Sequence, residues 1–216
     1  MAAISAAEVK RLREETGAGM MDCKRALTEN GGDFEKAKDW LRAKGLASAK
    51  GKEGRATNEG AIEAYVHNAG GIAKQGALVE LQCESDFVAK TDDFKKLGKE
   101  LAMQVTAMKP LYVRREDVPA DIVARERAVY AESVKGKPEN IIDKILEGKL
   151  NDFYSKICLV EQVWIKDDKR KVGDLITDAV AKLGENIAVA GFNRFAVGED
   201  AIYARSEEAE PASSAA

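Results

Sequence analysis

Histidine is almost absent from this sequence. His67 stands alone, which excludes a histidine-rich metal site and means that any catalytic diad would have to join that one ring to a cysteine. The cysteines, Cys23, Cys83 and Cys158, are far apart and lack the close Cys or His spacing of a zinc site, so reduced structural thiols are expected, with a pairing between chains left open. No apolar run approaches the roughly twenty residues of a membrane span. The start, Met1-Ala2-Ala3-Ile4-Ser5, has no basic segment followed by an apolar one, so neither export nor membrane insertion is expected, and the setting is cytoplasmic. Gly17-Ala18-Gly19 lacks the remaining glycine of a dinucleotide loop, and no Gly-Lys-Ser/Thr phosphate loop occurs, so no nucleotide or other cofactor is expected. Charged residues make up 33% of the chain, yet the formal net charge is only -3, which provides no general basic field for nucleic acid.

What is present begins with helical punctuation. Ser5-Ala6-Ala7-Glu8 has the spacing of a capping box, Val9 and Leu12 share one face, and Gly17 ends the first helix. A second helix is expected from Met21 to Thr28, stopped by Asn30-Gly31-Gly32. A third starts at Asp33 and carries Phe34, Ala37, Trp40 and Leu41 at helical spacing, with Gly45 as terminator. Residues 1–45 thus read as a compact three-helix head, residues 46–56 as a glycine-containing linker, 57–197 as a core and 198–216 as a disordered acidic tail. Within the head, Gly19-Met20-Met21 sets two flexible apolar side chains at a helix start, where a small bundle has room to bury one; Lys24 follows one turn on.

Past the linker the period becomes twofold. Ile62, Ala64 and Val66 alternate with Glu63, Tyr65 and His67, Asn68-Ala69-Gly70-Gly71 supplies a turn, and Ala77, Val79, Leu81 and Cys83 recur on a second strand. Where that strand stops, Ser85 or Asp86 caps a short helix and Thr91-Asp92 a longer one bearing Phe94, Leu97, Leu101, Val105 and Met108. The crowded turn signals place Phe87 near the surface, as a lid over the core or as a wedge for a partner. Pro119 and Pro138 open two further helices, Phe153 to Ile165 reads as helix and then extended chain, Asp167 to Lys171 as a charged turn, and Leu175 to Leu183 as a helix. Ile187 to Val197 reads as a last strand that must join the hairpin to pair its backbone. The fold class is therefore α+β, a helical bundle followed by a three-stranded, mainly antiparallel sheet packed with helices.

Leu12-Arg-Glu-Glu-Thr-Gly-Ala-Gly-Met-Met-Asp-Cys-Lys-Arg-Ala-Leu27 and Cys83-Glu-Ser-Asp-Phe-Val-Ala-Lys90 resemble the two signatures of the bacterial elongation factor Ts family. The similarity continues through Lys109-Pro110, Arg115-Glu116-Asp117-Val118-Pro119, Gly136-Lys137-Pro138 and Lys171-Val172-Gly173-Asp174-Leu175; Ser85 stands where threonine is common, keeping the hydroxyl. The resemblance implies a guanine nucleotide exchange factor for elongation factor Tu, without covalent catalysis, whose head is ubiquitin-associated-like. It implies partner contacts at Met20, Met21, Lys24 and Val88, a wedge formed by Asp86 and Phe87 that disturbs magnesium and phosphate binding in the partner, and contacts at His67, Ile165 and Lys166 with the partner's third domain. The chain is short for that family, with one copy of the core elements, which implies a homodimer. Two other classes compete: an adaptor working through residues 1–45 alone, and an enzyme using Cys83 or Cys158.

Overall fold

The computed structural model describes residues 4–134 and 138–206. The expected acidic tail beyond Ser206, and Gly136-Lys137 of the motif quoted above, lie outside the described residues.

The head forms from its caps inward. Helix α1 (Ala6–Thr16) starts on the expected capping box, with Glu8 N–H donating to Ser5 Oγ at 3.2 Å and Ser5 N–H to the Glu8 carboxylate at 2.8 Å. The Ser5 N–H and hydroxyl, both donating to the Glu8 carboxylate, hold that carboxyl below the usual range. Helix α2 (Met20–Glu29) and helix α3 (Phe34–Lys50), the latter capped by Asp33, close the bundle around Val9, Leu12, Cys23, Ala26, Leu27, Ala37 and Leu41, with Phe34 and Trp40 at its rim. Gly45 does not end α3. The helix runs on through residues 46–50, which the composition had assigned to a linker, because its second half has its own surface to pack on. Helix α8 (Val172–Leu183) lies so close that a Cβ at Gly45 would sit 3.2 Å from Ala181 Cβ, and Ala49 packs against the core cluster. Gly45→Leu should therefore overpack this junction and cost about 1–3 kcal/mol, read as a lower denaturant midpoint. An unchanged midpoint would mean that the two helices are free to separate.

In the core, strands β1 (Glu59–Ala69) and β2 (Ile72–Cys83) pair antiparallel through Gly70 and Gly71, whose φ values of 65° and 85° suit the tight turn that matches strand twist. Helices α4 (Asp86–Ala89) and α5 (Asp92–Met108) follow. Helices α6 (Ala120–Ser133) and α7 (Glu139–Ile157) pack against each other as a hairpin. Strands β3 (Val163–Trp164) and β4 (Asp167–Lys171) form a small ribbon turning at Ile165–Lys166, so the charged stretch 167–171 is paired chain and not a turn. After α8 come β5 (Ile187–Ala196) and β6 (Ile202–Arg205). The α+β class holds, but the main sheet has four strands, ordered β1-β2-β5-β6 and antiparallel throughout, where three were expected. The fourth strand falls in residues read as disordered tail. Four residues are too short to signal a strand by composition, yet β5 would otherwise leave its outer row of donors and acceptors unpaired.

The sheet's inner face carries Val79, Leu81, Cys83, Val189 and Phe192 against Phe94, Leu101 and Val105 of α5. Each fully buried side chain of this kind stabilises by about 1.5–3 kcal/mol. Met108, expected in the same stripe, is exposed at the helix end. Arg194 of β5 is fully buried among these residues, its Nε donating to the Thr106 carbonyl at 3.1 Å and its fork reaching Glu199 at 3.0 Å. On β1 the faces are reversed from a simple apolar-in reading: Tyr65 packs on the core, while Ile62 is 69% and Val66 63% exposed on the outer face.

Candidate functional site

The corner where β2 becomes α4 is fixed by side chains taking over from the strand ladder. Cys83, the last residue of β2, pairs with Ile187, and its thiol donates to the Ser85 carbonyl at 3.1 Å. Ser85 caps α4, with Val88 N–H directed at its Oγ at 3.5 Å. Thr91 caps α5 through Phe94 N–H at 3.3 Å and donates its hydroxyl proton to the Val88 carbonyl at 2.7 Å, so two caps share one short turn. At about 100° per residue, a helix that buries Val88 and Ala89 must turn Phe87 outward. The ring is 80% exposed, whereas Val88 is only 9% exposed. Of the two expectations for Phe87, a lid over the core is thus excluded. Val88, expected as a partner contact, packs in the core cluster and seats the corner. Asp86 pairs with Lys90 across the turn, which holds the Lys90 ammonium above its usual range.

The same corner is clasped from a distance in sequence. Ser85 N–H and Oγ–H both donate to the Glu185 carboxylate, at 2.9 and 2.6 Å, and Glu84 accepts from Asn186 N–H at 2.6 Å. Asn186 Nδ2 donates to the Arg55 carbonyl at 2.8 Å, tying in the chain that arrives from α3. Sequence reasoning missed Glu185 because its partner lies 100 residues away and no local pattern marks it.

The other expected residues lie on separate elements. Met20 and Met21 open α2 beyond Gly19, which offers no side-chain cap; Met21 is 74% exposed and Met20 44%, while Lys24 is exposed one turn on and Cys23 turns inward. Both methionines are therefore available, where room to bury one was expected. His67 sits beside a bulge near the β1–β2 turn, its Nδ1 3.1 Å from the Tyr65 hydroxyl. Ile165 and Lys166 form the ribbon turn, held by Ile165 N–H on Gln104 Oε1 at 3.0 Å and Lys166 on Glu100 at 3.1 Å. His67 pairs with Gln75, so it lies roughly 27 Å along the strand from Cys83 and the corner. The structure brings Asp86 and Phe87 together but gathers the remaining residues into no single pocket.

That spread also removes the cysteine-enzyme reading. The three thiols are buried. Burial, followed by the charge of Glu185, raises the Cys83 pKa, burial raises that of Cys23, and burial pushes Cys158 up to about 12. Buried thiols whose pKa is raised are poor nucleophiles, and the only histidine is a hairpin's length from Cys83. Among the described residues, no three His, Cys, Asp or Glu side chains are grouped to hold a metal ion, and no helix is long and apolar enough to cross a membrane.

Comparison with known proteins gives one answer. The family model described as Elongation factor TS matches residues 49–199. An elongation factor Ts of Thermotoga petrophila is 56% identical over 191 residues, covering 88% of this chain and 94% of the relative. That of Anaeromyxobacter dehalogenans is 56% identical over 201 residues, covering 92% and 90%, and that of Myxococcus xanthus 52% identical over 201 residues, covering 92% and 91%. The family model takes in the second signature stretch and most of the core, the relatives cover most of the chain, and the chain belongs to the elongation factor Ts family of translation elongation factors.

Proposed function

We propose that this protein accelerates GDP release from elongation factor Tu by inserting Phe87, with Asp86 beside it, into the partner's nucleotide domain, where the ring disturbs magnesium and phosphate binding. The single observation that carries the reading is an aromatic ring 80% exposed on a corner whose neighbours on both sides are capped and whose next residue is buried. A large apolar ring exposed to water contributes little to folding and offers binding energy when a partner covers it. No nucleotide bond breaks. A factor that binds the nucleotide-free partner more tightly than the GDP-bound one weakens GDP by the same ratio, and about 4 kcal/mol of coupling corresponds to roughly a thousandfold.

In this reading the ubiquitin-associated-like head supplies docking through Met20, Met21 and Lys24, and the core supplies exchange. His67, Ile165 and Lys166 meet the partner's third domain, and the working particle is a cytoplasmic homodimer that needs no nucleic acid or membrane. The division is supported by two separate apolar clusters, one within the three helices and one between sheet and α5. Its test separates affinity from rate. Met20→Asp with Met21→Asp should raise the half-saturating concentration for release of labelled GDP by at least about tenfold and leave the saturated rate within about twofold. A fall in the saturated rate alone would place the exchange element in the head. Failure of the unaltered protein to release labelled GDP from elongation factor Tu would refute the whole reading.

A further inference from the structure

We infer that Glu185 is a positioning residue for exchange: its carboxylate fixes the corner that presents Phe87, and because it directly follows the helix on which the head packs, docking and wedge share one strut. The inference rests on the exchange reading above. Ser85 is the pivot between strand and helix, and it spends both its donors on the two oxygens of Glu185. A carboxylate is the group that can accept two bonds from one residue in this way, and such charge-assisted bonds are stronger than neutral ones. Glu84 returns the contact by accepting from Asn186 N–H. The sheet register of β2 and β5 ends at Cys83 opposite Ile187, so these carboxylates continue the pairing of the two chains for two residues beyond the last ladder position.

The clasp is also where other elements converge. Gly184 closes α8 with φ 83°, placing Glu185 beside the corner. One turn back, Ala181 meets Gly45 of α3, and Lys182 binds Asp93 of α5 at 2.7 Å while its stem lies against Gly17 at the end of α1. A head that docks therefore rests on the same helix turn that holds the wedge. Without Glu185, the bonds left to Ser85 would be those from the Cys83 thiol and from the Val88 and Ala89 amides, and Phe87 would have to be ordered during the exchange step itself.

The test compares the full-length protein with Glu185→Ala, Glu185→Gln, Phe87→Ala and Glu185→Ala with Phe87→Ala. In the free protein, Glu185→Ala should speed amide hydrogen exchange at Ser85 and Val88 by about tenfold. With elongation factor Tu it should slow saturated release of labelled GDP about tenfold, with the half-saturating concentration within about twofold. The double variant should release GDP no more slowly than Phe87→Ala, because a residue that acts only through Phe87 has nothing left to position. Glu185→Gln keeps one acceptor and should fall between Ala and the native residue; it decides the matter if the alanine variant does not fold. Unchanged amide protection, or losses that multiply in the double variant, would overturn the positioning role and leave the wedge intact. A native saturated rate in Phe87→Ala would instead overturn the wedge, and this inference with it.

Discussion

Phe87→Ala should leave folding stability within about 1 kcal/mol of the native protein while slowing saturated GDP release roughly thirtyfold. The two numbers come from opposite sides of the same geometry. Truncating a buried phenylalanine costs about 3–5 kcal/mol, because transfer energy is lost and a cavity remains. At 80% exposure Phe87 has little of either to lose. The corner's own support lies in Ser85, Thr91, Val88 and Ala89, none of which the substitution touches. What disappears is area that becomes buried only against a partner, and central aromatic anchors of interfaces cost about 2 kcal/mol or more on truncation. Asp86→Ala should give a milder loss of rate, since it removes a first-turn carboxylate and its pair with Lys90 as well as any contact. Thermal unfolding of each free variant beside its saturated release rate is the deciding comparison. A lowered melting temperature with an unchanged rate would return Phe87 to a purely structural role.

If the proposed homodimer forms through the outer face of the main sheet, placing glutamate at Ile62 and Leu78 together should leave only monomers. Helix α5 packs on the inner face of the main sheet, yet the outer face is not the polar surface that a one-sided antiparallel sheet ordinarily shows to water. The register places Ile62 and Val66 of β1, Leu78 of β2, Phe195 of β5 and Tyr203 of β6 on that face, all exposed, with Phe195 and Tyr203 meeting edge to face. The ion pair of Glu80 with Arg205 stands at its border. In the proposed homodimer this exposed apolar patch is the face that a second copy covers, since a twofold contact can be self-complementary. Twofold symmetry presents every introduced charge twice. Like charges facing each other across a desolvated sheet cost several kcal/mol, so the dimer dissociation constant should rise by at least about a thousandfold. Sedimentation of the native protein at micromolar concentration should give twice the chain mass of 23.4 kDa, and of the double variant the chain mass itself. A native protein that sediments at the chain mass while exchanging at its full rate would end the proposal. None of the three cysteines lies exposed for a disulfide between chains.

The sequence by itself determined whatever depends on neighbours a few residues apart. The capping box at Ser5 and Glu8, the cap at Asp33, the Gly70-Gly71 turn and the apolar stripe Phe94, Leu97, Leu101, Val105 are local patterns, because capping bonds and helix faces close within one or two turns. Even the outward aim of Phe87 was half legible, since clustered turn residues bring chain to the surface; only burial of Val88 and Ala89 beside it excluded a lid over the core. Tertiary structure alone decided the rest. Gly45 reads as a helix stop until α8 is seen to need its missing side chain, and residues 202–205 read as tail until β5 offers an edge to pair with. β1 reads as apolar face inward until the sheet turns Tyr65 to the core and Ile62 to the outside. Glu185 had no signature at all. The energy of each of these features comes from a partner far away in sequence, and a pattern read along the chain carries no record of which distant surface will arrive to meet it.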